Sequence, residues 1–127
     1  MPHAAKGKRV YIAAPLGKEE NWKENIAKAV EAWTELTRLG FYAYCPHINC
    51  YLHNDSEADF DYEFWLDYDI AWLDICDYLL RLPGYSPGAE REMRYAHENG
   101  IKVVYTLPEL IDAYYRAIAG TYKKGKL

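Results

Sequence analysis

Short apolar runs, each stopped by proline or glycine and followed by a stretch of helical periodicity, leave this chain few folds to adopt. Arg9–Ala14 (Arg-Val-Tyr-Ile-Ala-Ala) ends at Pro15 and Gly17 and reads as a buried strand. From Asn21 to Leu39, residues Trp22, Ile26, Ala29, Val30, Trp33 and Leu36 recur at helical spacing, and Gly40 closes the helix. Phe41–Cys45, Asp77–Leu82 and Ile101–Thr106 are the other strands. The other helices are Asp59–Cys76, in one piece or two, Pro87–Asn99, closed by Gly100, and Pro108–Ala119. Strands alternating with helices predict a parallel sheet covered on both faces. Right-handed crossovers then favour the order 2-1-3-4. The predicted fold class is α/β: one doubly wound, Rossmann-like parallel sheet of four to five strands with helices on both faces.

The 127 residues make one domain, with its core over residues 9–119 and Gly120–Leu127 expected as a mobile basic tail. Half of the chain is hydrophobic, enough for a core without metals or disulfides. A formal charge of −4 argues against a nucleic acid or an anionic membrane surface as partner. It leaves room for a small anionic ligand held by backbone amides at a helix start. Three cysteines make no disulfide framework, and no apolar leader or membrane-length run is visible, so a soluble cytoplasmic protein is expected. Pro46–Ala58 shows no clear period and is longer than the roughly 4–6 residues of a median connection, which predicts an irregular lid or binding loop.

In a sheet of this order, ligands bind beyond the carboxyl ends of the strands, between strands 1 and 3. Tyr11–Gly17, Pro46–Ala58 and Gly84–Glu92 face that crevice. The turn Ser86-Pro87-Gly88 starts a helix, with proline suited to the first helical position and Gly88 letting a ligand approach the backbone amides. On that helix Glu92 shares a face with Ala89 and Ala96, two small residues that leave it recessed against the sheet, whereas Glu90 falls on a polar sector. Among the acids of the preceding helix, Asp69 alone has apolar i±3 and i±4 neighbours: Trp65, Leu66, Trp72 and Leu73. A carboxylate on such a stripe must be paired, hydrogen-bonded or protonated, so an ion pair and a catalytic role are both open readings. Two acids at one pocket suit glycosidic chemistry, one attacking the anomeric carbon and the other handling the leaving group's proton. Tyr11 could aim its hydroxyl at the nucleophile, or be an ordinary strand tyrosine, one of 13.

These residues resemble the nucleoside 2-deoxyribosyltransferase superfamily, which includes the 2′-deoxynucleoside 5′-monophosphate N-glycosidases. Val10-Tyr11-Ile12 resembles the family's first strand with its tyrosine. Asp69-Ile70-Ala71-Trp72-Leu73 resembles the Asp-Leu-Ala-Trp-Leu element that carries the catalytic aspartate, followed by Cys76-Asp77 at the start of strand 3. Gly88-Ala89-Glu90-Arg91-Glu92 resembles Gly-x-x-x-Glu, whose glutamate is the nucleophile. The resemblance implies that Glu92 attacks C1′, that Asp69 assists base departure and activates the acceptor, and that Tyr11 orients Glu92. It implies cleavage of the N-glycosidic bond of a (2′-deoxy)nucleoside 5′-monophosphate, or base exchange by a transferase. Ser86, six residues before the glutamate, matches the serine that helps the hydrolases hold the 5′-phosphate; Gly88, Ala13 and His47 complete the expected binding residues. Ala13-Ala14-Pro15-Leu16-Gly17 departs from the hydrolases' Gly/Ser-rich loop. A homo-oligomer, dimer or higher, is also implied.

Two rival readings differ in kind. Cys45-x-His47-x-x-Cys50-x-x-His53 offers nitrogen and sulfur donors for zinc, but in none of the familiar finger spacings, so no metal and no cofactor is assigned. A nucleotide-binding module without turnover would share the fold and the crevice.

Overall fold

The computed structural model describes residues 7–16, 22–55 and 60–126, with side chains over 7–16, 22–52 and 60–120. Gly17, Asn21, Ala58, Asp59 and Leu127 lie outside it. The elements are β1 (Arg9–Ala13), α1 (Trp22–Arg38), β2 (Tyr42–Tyr44), a 3-10 turn (Pro46–Ile48), α2 (Asn49–Asp55), α3 (Tyr62–Leu73), β3 (Tyr78–Arg81), α4 (Pro87–Glu98), β4 (Lys102–Val104) and α5 (Leu107–Lys126). The sheet has four strands in the order β2-β1-β3-β4, all parallel, as the alternating pattern predicts. Val10 stands beside both Ala43 and Tyr78, and Tyr11 stands beside Leu79.

Side chains alternate across the sheet and so sort into two cores. Val10, Ile12 and Leu80 pack with Ala29 and Leu36 of α1 and Leu110 of α5. On the other face Tyr11, Ala13 and Leu79 pack with Leu73 of α3 and with Ala89 and Ala96 of α4. The second face is the one that carries the candidate chemistry. Local signals set the helix starts: Asp61 accepts from the Phe64 amide at 2.9 Å and Ser86 from the Ala89 amide at 3.1 Å. Pro87 follows as the first residue of α4, where it sacrifices no helical hydrogen bond.

Three expectations are corrected. The described part of the segment expected as an irregular lid or binding loop, residues 46–55, is instead a 3-10 turn followed by α2, because Pro46 suits a helical first turn and Asn49 is buried rather than solvated. The last helix does not end at Ala119 but continues through Gly120 and Gly125 to Lys126, since isolated glycines weaken a helix without stopping it. The stripe around Asp69 is only partly buried: Leu73 is enclosed, but Trp72 is 43% exposed. The cause is that α3 leans on α4, which leaves one flank of α3 open.

Candidate active site

Two carboxylates lie within electrostatic reach of each other and of Tyr11 on β1. Glu92 projects from α4 between the buried Ala89 and Ala96, half-buried, and accepts a hydrogen bond on Oε2 from the hydroxyl of the fully buried Tyr11. Burial pushes the Glu92 carboxyl up from 4.5 to about 8; the Tyr11 hydrogen bond pulls it down, the nearby Asp69 charge adds to the rise, and the Arg81 charge opposes it. Burial, reinforced by Glu92 and Asp69, holds the Tyr11 hydroxyl well above its ordinary value, so it remains a donor. Asp69, half-buried on α3, accepts on Oδ1 from the Asn49 amide at 3.1 Å. Burial pushes Asp69 up from 3.8 to about 7, against the pull of that hydrogen bond. Such a pair can share a single negative charge at neutral pH, leaving one member as nucleophile and the other as acid.

An aromatic stack walls one side of this pair. Tyr11 lies against Tyr44 (ring centroids 5.6 Å, interplanar 28°), and Tyr44 lies against Trp72 (5.7 Å, 17°). The Tyr44 hydroxyl oxygen accepts from the Asn49 amide at 3.1 Å. Partly exposed, Trp72 offers an apolar face at the rim, where an aromatic ligand could stack.

The other expected residues sit around this centre in different ways. Ser86 uses an oxygen lone pair to cap α4, which leaves its hydroxyl hydrogen available for a ligand. A side-chain carbon added at Gly88 would meet only Ser86 Oγ, at 3.9 Å, so the space over the first turn of α4 is open. Ala13 is enclosed in the sheet and its carbonyl accepts from the Leu82 amide at 2.9 Å. His47 is buried and its Nε2 hydrogen-bonds the Pro15 carbonyl at 3.0 Å, tying the β1–α1 loop to the 3-10 turn. Burial lowers its pKa, which keeps the ring neutral. No group of three or more His, Cys, Asp or Glu side chains among the described residues is placed to hold a metal ion, and the His53 side chain lies outside them.

Sequence reasoning passed over Arg81, read there as part of an apolar run. It is 7% exposed, lies on the Tyr11 face, and donates to the Leu82 carbonyl and, at 2.7 Å, to the Gly84 carbonyl. It also pairs with Glu90 at 3.4 Å. Gly84 has φ +122°, and a side-chain carbon there would stand 2.6 Å from Cγ of Pro15, so only glycine fits. Arg81, Gly84 and Pro15 thereby lock the β3–α4 loop onto the β1–α1 loop. A charged residue on the inward parity of a buried strand was the available signal.

A family model described as "Domain of unknown function (DUF7768)" matches residues 8–106. No curated protein matches the chain. A solved structure it resembles is that of a 2-deoxyribosyltransferase from the psychrotolerant bacterium Bacillus psychrosaccharolyticus, characterised as a biocatalyst for synthesis of antiviral and antitumoral nucleosides. The two are 22% identical with a TM-score of 0.59, over 75% of this chain and 69% of that one, a likeness of fold. With the family model spanning β1 to the end of β4, the chain belongs to the DUF7768 family.

Proposed function

We propose that this protein cleaves the N-glycosidic bond of a (2′-deoxy)nucleoside 5′-monophosphate through a covalent glycosyl-Glu92 intermediate. The observation that carries the reading is the Tyr11 hydroxyl on Glu92 with Asp69 near enough to raise both groups' pKa values. The Glu92 carboxylate attacks C1′, the C1′–N bond breaks, and its electron pair leaves with the base, which takes a proton from Asp69. Asp69, now ionised, accepts a proton from water as the water attacks C1′. The sugar phosphate departs and Glu92 is a carboxylate again. Tyr11 steadies the nucleophile, and the open first turn of α4, with the Ser86 hydroxyl, receives the 5′-phosphate.

Base exchange on deoxynucleosides is the second reading, and the likeness to a 2-deoxyribosyltransferase favours it. There a second base replaces water as acceptor. The proposal includes a homo-oligomer, in keeping with the exposed Ile48, Leu52, Phe60, Phe64 and Trp72. It also includes a cytoplasmic location; among the described residues no helix is long and apolar enough to cross a membrane.

The test is product analysis after incubation with ribo- and deoxynucleosides and their 5′-monophosphates, with and without a second free base, beside Glu92→Ala. Free base from monophosphates alone, lost in the variant, supports the hydrolase. Exchange on unphosphorylated deoxynucleosides supports the transferase and removes the phosphate role of Ser86. Ligand binding with no turnover contradicts both and leaves a binding module.

A further inference from the structure

The geometry points to Asn49 as the positioning residue for Asp69: the asparagine amide ties down Oδ1, so the proton that Asp69 gives to the base and later takes from water is carried on Oδ2. This assignment rests on the glycosidic reading above. Asn49, at the start of α2, is 8% exposed, and its Nδ2 donates to both Asp69 Oδ1 and the Tyr44 hydroxyl oxygen, each at 3.1 Å. The ionised carboxylate of Asp69 only accepts, which turns Nδ2 toward it, and the Tyr44 hydroxyl oxygen accepts the second N–H in that same orientation. Tyr44 cannot drift away, because its ring is held between Tyr11 and Trp72. Oδ1 can accept whether Oδ2 carries a proton or not, though more strongly when Asp69 is ionised, so the bond survives both halves of the reaction. An acid held in one orientation loses no rate to rotation between its two roles. The groups that face Asp69 electrostatically are Glu92, Tyr11 and Tyr44, with Tyr68 beside Tyr44. Among the interactions of Asp69, the Asn49 amide favours its ionised form.

The test is a carbon-13 carboxyl titration of Asp69 in the full chain, assigned with Asp69→Asn, for wild type, Asn49→Ala and Asn49→Asp, alongside kcat and KM. Asn49→Asp preserves the side-chain volume and guards against a folding failure of the alanine variant. Loss of the hydrogen bond is expected to move the Asp69 midpoint upward by about one pH unit in Asn49→Ala. Asn49→Asp moves it further, since a third carboxylate then joins the site. The accompanying loss in kcat is roughly tenfold or more, with KM within about threefold of wild type. An unmoved midpoint in both variants overturns the assignment whether or not the protein turns over any substrate. A loss of kcat with an unmoved midpoint also overturns it, since Asn49 would then serve packing alone. A midpoint that moves in a protein releasing no base from any substrate upholds the Asn49–Asp69 coupling and refutes the glycosidic reading.

Discussion

The two halves of the candidate site are built in different ways. Glu92 stands on α4 over the sheet, between the buried alanines 89 and 96, with its Tyr11 partner in the central strand β1. Every support on that side belongs to a regular element whose inward face is decided by periodicity. Asp69 stands on α3, off the sheet, with a half-open flank at Trp72 and a partner from the short helix α2. The first half is rigid because the core requires it; the second depends on one amide and a stack of three rings. The nucleophile side should therefore respond to substitution mainly in chemistry, and the acid side in chemistry and orientation together.

The largest expected effect is on the rigid side. Glu92→Ala should lower turnover roughly 10⁴-fold or more, measured as base release at saturating substrate, because the proposed covalent bond is to Glu92. Asp69→Asn should cost less, roughly 10²–10³-fold, and the deficit should shrink for substrates whose base departs without protonation. Equal losses across good and poor leaving groups would count against Asp69 as the acid. Tyr11→Phe should cost roughly tenfold, and its pH–rate profile should move upward, because Tyr11 pulls the Glu92 pKa down. In wild type the profile should be a bell with its maximum between about 7 and about 8, where the pair holds one negative charge.

The smallest effect is on stability. Glu92 rises from 4.5 to about 8 on folding, so the folded chain binds more protons than the unfolded one across that window. Stability from this group is complete below the lower value and lost as pH rises through the upper one. Glu92→Gln, which does not titrate, should then be more stable than wild type at pH 9 by roughly 1–2 kcal/mol and nearly equal to it at pH 4. Thermal melts at both pH values check this. A gain of the same size at pH 4 would assign the effect to packing instead.

The same contrast explains what could be read from the chain. The sheet order follows from alternating strands and helices with right-handed crossovers, and the recessed Glu92 and the inward Tyr11 from periods of 3.6 and of two with small residues at the right offsets. Asn49 carries no such signal: it stands 20 residues before Asp69, and only tertiary packing brings them together. Helix α2 escaped because seven residues are too few to display a helical period. Arg81 was hidden by its apolar neighbours Leu80 and Leu82, although its parity with Leu79 marked it as facing the site. Ala13 and His47 lie in crevice-facing segments, yet both side chains are buried, because position in such a segment does not decide which way a side chain packs.

The central claim is that Glu92 forms a bond to the sugar, and trapping that bond tests it most directly. The protein would be mixed with a 2′-deoxynucleoside 5′-monophosphate, quenched in acid within the first turnover, and measured by intact and peptide mass spectrometry. The account predicts a deoxyribosyl-phosphate adduct on the peptide containing Glu92, absent from Glu92→Ala. Base release without any adduct, or an adduct on another residue, would contradict it.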